Sequence, residues 1–121
     1  HVEVPAVSME DLRHRQAKED SAAVRDRVCA ARERQMARFR DRPGIFCNAH
    51  MSPKELNHYC HLSAEAQQIL ETAVKRLNLS ARAYDRLRKA GRTIADLAGS
   101  EEILPEHISE AVTYRSLDRL L

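Results

Sequence analysis

The chain has 121 residues, enough for one domain with a modest core but not for a catalytic domain with a second unit beside it. Hydrophobic residues make up 43% and charged residues 31%, while aromatics reach only 4%, with three Gly, four Pro and no Trp. This balance favours helices and nearly excludes an all-β sandwich or barrel. Twenty Lys and Arg against 18 Asp and Glu give a formal charge of +2, too small to steer polyanions by net charge alone.

The opening, Val2 to Val7, alternates apolar and polar residues as a half-buried strand does, and Pro5 interrupts it. Position 1 is not Met. Together these lead to the expectation of a fragment of a longer protein, with residues 1–18 an extended segment and linker left from a preceding domain and 19–121 a helical domain. From Pro5 to Lys18 the composition is that of a linker. From about Ser21 to Phe39, Val24, Val28, Ala31, Gln35 and Phe39 recur at helical spacing, which predicts one long amphipathic helix. Its other faces carry Arg25, Arg32, Arg34 and Arg38 among Asp26 and Glu33, the pattern of a solvated surface. Asp41 to Gly44 is a breaker cluster.

Ser52-Pro53-Lys54-Glu55 is a capping box with Pro at the first helical position, and it predicts a short helix to about Cys60. After the break at Leu62-Ser63, Ala66, Ile69, Leu70, Ala73, Val74 and Leu77 mark a helix from Ala64 to Asn78 with one apolar face. Ser80 is placed to cap the next helix, which runs to about Ala98 with an expected buried stripe of Ala83, Leu87, Ala90, Ile94 and Leu97. Gly91 within it marks a close helix–helix approach. Gly99-Ser100 closes that helix, and Pro105-Glu106 starts a last one with Ile108, Ala111, Val112 and Leu117 inward. The sum is a compact all-α bundle of about five helices with a short N-terminal extended segment.

Candidate chemistry is sparse. Cys47, His50, His58, Cys60 and His61 lie within fifteen positions, but Cys47-x-x-His50 has no matching second pair and Cys60 and His61 are adjacent on a helix, so the spacing argues for no metal site. Three cysteines without a secretory signal suit reduced thiols in a reducing compartment, none placed as a nucleophile. No apolar run approaches the roughly 20 residues that cross a bilayer, so a soluble cytoplasmic protein is expected. The strongest local signal is Arg82, Arg86, Arg88, Lys89 and Arg92, five cations in eleven positions in the first half of a helix. Cations at a helix start oppose the macrodipole, so Arg82, in the first turn after Ser80, calls for an outside anion or an acid such as Asp85.

Three stretches carry a resemblance: Leu79-Ser80-Ala81-Arg82-Ala83-Tyr84-Asp85-Arg86, Ala90-Gly91-Arg92-Thr93-Ile94-Ala95-Asp96-Leu97, and Ile103 to Val112 with Tyr114-Arg115. They resemble the C-terminal part of the magnesium-chelatase-like AAA+ ATPases of the ComM or YifB type. Arg25 to Val28 with Ala31-Arg32, then Asn48, Met51 and Leu56, fit the same pattern, and the opening residues look like the end of the ATPase core. The resemblance implies a helical lid joined to an upstream AAA+ core, with ATP and Mg²⁺ as cofactors of the full-length protein. It also implies neighbouring subunits in a homo-hexamer and DNA processing of the branch-migration type.

Ser80-Ala81-Arg82 matches the sensor 2 motif, which makes Arg82 the expected catalytic and nucleotide-contacting residue, with Arg86 a second contact in the same cleft. The chain has no G-x-x-x-x-G-K-[ST] and no acidic pair for magnesium, so alone it is not expected to hydrolyse ATP. Two other classes stay open: a DNA-binding helical module using Arg86, Arg88, Lys89 and Arg92, and a protein-interaction bundle.

Overall fold

Ser52, Ser63 and Ser80 each stand immediately before a helix in the structure. The computed structural model describes residues 9–120, with side chains apart from those of 9, 11–19 and 117–120. Five α-helices follow one another: α1 Met9–Arg38, α2 Pro53–Tyr59, α3 Ala64–Leu77, α4 Ala81–Leu97 and α5 Pro105–Leu120, with one 3₁₀ turn, Asn48–His50, between α1 and α2. Among the described residues no strand forms, and the fold is all-α as the composition requires. The expected strand-like opening and Leu121 lie outside the described residues, as does the side chain of Leu117.

The caps explain the boundaries. Ser52 accepts from the Glu55 amide while the Glu55 side chain accepts from the Ser52 amide, with Pro53 in the first turn. The Ser52 hydroxyl first and the Ser52 amide second donate to the Glu55 carboxylate and hold it below its ordinary pKa. Ser63 and Ser80 likewise accept from Ala66 and Ala83, at 3.1 and 3.2 Å. Asn78 ends α3 in the left-handed region at φ 51°, a conformation that Asn tolerates better than most residues.

α4 is the central element, packed against α5, α1 and α2, while α3 packs against α5. The entrances of α3 and α5 are tied by an isolated parallel bridge between Leu62 and Ile103, with Ser63 donating to the Ile103 carbonyl and Ile103 to that of His61. The core gathers Phe39, Met51, Leu56, Leu70, Leu87, Ile103 and Ile108. Gly91 sits where α4 meets α5: a Cβ there would stand 2.8 Å from Ile108 Cδ1 and 3.3 Å from Ile103 Cγ2, the close approach its place in the helix foretells.

Three expectations need correction. The stretch from Met9 to Lys18, read from composition as linker, is helical and continuous with α1; polar residues of good helix propensity look alike in linkers and in exposed helices. The buried face of α4 is rotated from the expected stripe. Ala83 and Leu87 are buried, but Arg88, Gly91, Arg92, Ala95 and Asp96 complete the face, while Ala90, Ile94 and Leu97 are only half-buried. On α1, Val24 is 47% exposed, and Arg34 and Arg38, read as solvated, reach across to α4. Arg88, Arg92 and Asp96 are buried and Arg38 half-buried because they find partners there, while Arg34 reaches the same place from an exposed position.

Candidate functional site

α4 begins and ends on different chemistry. At its start Ser80 caps the helix and the first turn holds no acid. Arg82 stands in that turn, exposed. Asp85, the acid that sequence offers as its partner, is taken elsewhere: Arg88 Nη2 donates to Asp85 Oδ1 at 2.8 Å, Arg88 Nη1 donates to Asn57 Oδ1 at 2.8 Å, and the Arg88 guanidinium lies over the Tyr84 ring at 4.9 Å. Among the described residues Arg82 makes no ion pair. Its charge therefore stands against the positive end of the helix dipole with no compensating carboxylate, an arrangement suited to an anion arriving from outside. Arg86, one turn on and exposed, shares that face.

The remaining cations of the run turn inward. Lys89 Nζ donates to the Ala49 carbonyl at 3.1 Å. Arg92, 2% exposed, donates to the carbonyls of Ser100 and Glu101 at 2.6 Å each, which secures the connection from α4 to α5. Arg88, Lys89 and Arg92 are thus engaged within the chain, and of the four cations of the DNA-binding alternative only Arg86 remains open to solvent without a partner among the described residues.

At the end of α4 lies a cluster that sequence reasoning passes over. The Asp96 carboxylate is fully buried and accepts from Arg38 Nη2 at 2.6 Å and Nη1 at 2.9 Å, and from Asn48 Nδ2 at 2.9 Å. Arg92 Nη2 stands 3.2 Å from its Oδ1, and Arg34 Nη1 donates to the Asp96 backbone carbonyl at 2.8 Å. Asn48 is itself held by Gln35 and Thr93. Burial lowers the Arg92 pKa from the ordinary arginine value, and the Asp96 charge opposes that shift. The network joins the last residue of α1 to the last turn of α4 through the intervening 3₁₀ turn. A signal for it exists in the sequence: an acid in the last turn of a helix opposes the macrodipole just as Arg82 does at the start.

The cysteine and histidine positions do not converge. Among the described residues no three His, Cys, Asp or Glu side chains come together in a way that holds a metal ion. His50 Nδ1 accepts from the Phe46 amide, and His58 packs edge-on to Tyr59 at 4.6 Å. Cys60 is buried, and desolvation pushes its thiol up to about 11. Nor is any described helix long and apolar enough to cross a membrane.

Known proteins share this sequence over most of its length. The family described as magnesium chelatase, subunit ChlI C-terminal, matches residues 18–115. The chain is 45% identical over 103 residues to uncharacterized protein YifB of Escherichia coli, covering 85% of this chain and 19% of that protein. It is 40% identical over 121 residues to competence protein ComM of Haemophilus influenzae, covering 99% of this chain and 23% of that protein. A more distant relative, uncharacterized protein Rv2897c of Mycobacterium tuberculosis, is 34% identical over 97 residues, which are 80% of this chain and 19% of the relative. The chain spans about a fifth of the length of these curated relatives.

Proposed function

The chain belongs to the magnesium chelatase ChlI C-terminal family, and we propose that it is the helical lid of an AAA+ ATPase, contributing Arg82 to a nucleotide site whose core lies outside this chain. The observation that carries the reading is the state of Arg82: exposed, in the first turn of a capped helix, against the dipole, with its nearest sequence candidate Asp85 already paired to Arg88. A guanidinium so placed has its fork available for a phosphate. The surrounding residues fit that group, since α4 offers a phosphate two exposed arginines at i and i+4 and no acid in the first turn.

ATP bound on the core supplies the phosphoanhydride whose cleavage drives the cycle. The rest is done by this chain. Arg82 would hold a phosphate of the nucleotide, Arg86 would line the same cleft, and Ser80 fixes the helix start that aims them. With a phosphate bound, Arg82 and Arg86 would hold α4 toward the core, and without one the domain would be free to rotate as a body. The Arg38–Asp96 pair ties the end of α4 to α1, so motion of the sensor helix is passed to the long helix without loss in a flexible joint. In the full-length protein this motion, within a ring of identical subunits, hexameric on the resemblance, remodels DNA. A cytoplasmic setting goes with that work.

The test is Arg82→Ala in the intact protein, with steady-state ATP hydrolysis measured. A loss of at least tenfold in turnover, with Arg82→Lys recovering little because it lacks the fork, is the expected result. Unchanged turnover in Arg82→Ala removes the assignment.

A further inference from the structure

A groove at the C-terminal end of α1 takes no part in the site above. It is lined by Arg32, Met36 and Phe39 from α1 and its end, and by Arg40, Arg42 and Phe46 from the loop that follows, with a volume of about 720 Å³. Two of its apolar side chains face solvent, Met36 at 67% exposure and Phe46 at 73%. Its lining contains three arginines and no carboxylate, in a chain whose charges otherwise nearly balance. Arg32, Arg40 and Arg42 make no ion pair among the described residues; the Arg42 side chain donates to the Tyr59 hydroxyl at 3.3 Å, and its charge helps to lower the Glu55 pKa without a direct contact. Leaving a large aromatic ring in water among unpaired cations forgoes both burial and pairing, which a ligand would restore.

We propose that this groove binds single-stranded nucleic acid, with Phe46 as a platform for a base and Arg32, Arg40 and Arg42 on the phosphates. The ligand has to present anionic groups with flat apolar faces between them. A single strand does so, since each nucleotide carries one phosphate and one base free to stack. In a duplex the bases are stacked inside and out of reach of Phe46, and an acidic peptide brings charge without the planar faces. The assignment deepens the DNA-remodelling part of the proposed function and rests on it. The two tests fail separately, because Arg82 is read by ATP turnover and the groove by strand binding.

The experiment is fluorescence anisotropy of a labelled short oligothymidylate titrated with the chain, between about 50 and 200 mM salt. Binding is expected, tighter than to a duplex of the same length. Phe46→Ala is expected to weaken it about tenfold while leaving the salt slope as it was. The double variant Arg40→Glu, Arg42→Glu should weaken it further and reduce the salt slope by about 1.4, at roughly 0.7 for each phosphate no longer neutralised. Lys75→Glu, on α3, should bind as the parent does. All of these positions are exposed, so unchanged thermal melting checks the fold of each variant. The proposal is overturned by absence of binding at low salt, or by equal affinity for duplex with no effect of Phe46→Ala, which is a plain cationic patch. Displacement of the strand by polyglutamate as effective per charge as by unlabelled strand also overturns it, and identifies an acidic protein surface as the occupant.

Discussion

Arg38 and Asp96, 58 positions apart, are joined by two hydrogen bonds of 2.9 and 2.6 Å around a carboxylate with no exposure. The pair is bidentate, and the remaining capacity of the carboxylate is filled by Asn48 and Arg92. A buried charge is tolerated only when it is satisfied this fully.

Removing one partner should therefore be severe. Asp96→Ala leaves Arg38 and Arg92 facing each other beside an empty space, and a loss of about 3–5 kcal/mol is expected by denaturant unfolding. Arg38→Ala should fall in the same range, and the double variant should lose clearly less than the sum of the two, because both delete one shared interaction. Additive losses would mean that the pair does not act as a unit.

Gly91 offers a test of packing. Alanine there gains helix propensity, about 1 kcal/mol, but its Cβ meets Ile108 Cδ1 at 2.8 Å in a fully buried site. Overpacking of about 1–3 kcal/mol should win, giving a net loss for Gly91→Ala. In the double variant with Ile108→Val, which removes that Cδ1, the two losses should not add, and its melting temperature is the check.

The three cysteines should separate by burial. Cys29 is exposed, Cys47 half-buried and Cys60 buried with its thiol raised to about 11 from 9.0. A thiol reagent at pH 8 is expected to modify Cys29 first and Cys60 only when the protein unfolds. The raised pKa has a sign as well. The unfolded chain releases the Cys60 proton at a lower pH than the folded one, so this contribution to stability is intact below about 9 and is lost as pH rises through about 11. Cys60→Ala should lessen the fall in stability over that window, which unfolding at a series of alkaline pH values would show.

Much of the candidate site is legible in the sequence because it is local. Ser80, Arg82 and Arg86 stand within seven positions, and capping and dipole arguments act over one turn. The clustered cations of α4 are legible as a run but not by role, since nothing in the run says that Arg88 and Arg92 turn inward while Arg82 and Arg86 do not. The partners that decide this, Asn57 for Arg88 and the carbonyls of Ser100 and Glu101 for Arg92, come from other segments.

The sequence by itself determined the all-α class, the starts of four helices, the tight spot at Gly91 and the anomalous charge of Arg82. Each follows from propensity, capping or helical period, which are properties of a few neighbouring residues. The tertiary structure alone decided which face of α4 is buried, that Asp96 is the centre of a network with Arg34, Arg38, Asn48 and Arg92, and that Phe46 and three arginines share one groove. Those outcomes depend on desolvation, and whether a charged group is buried or exposed is settled by the partners that distant segments bring within about 3 Å of it.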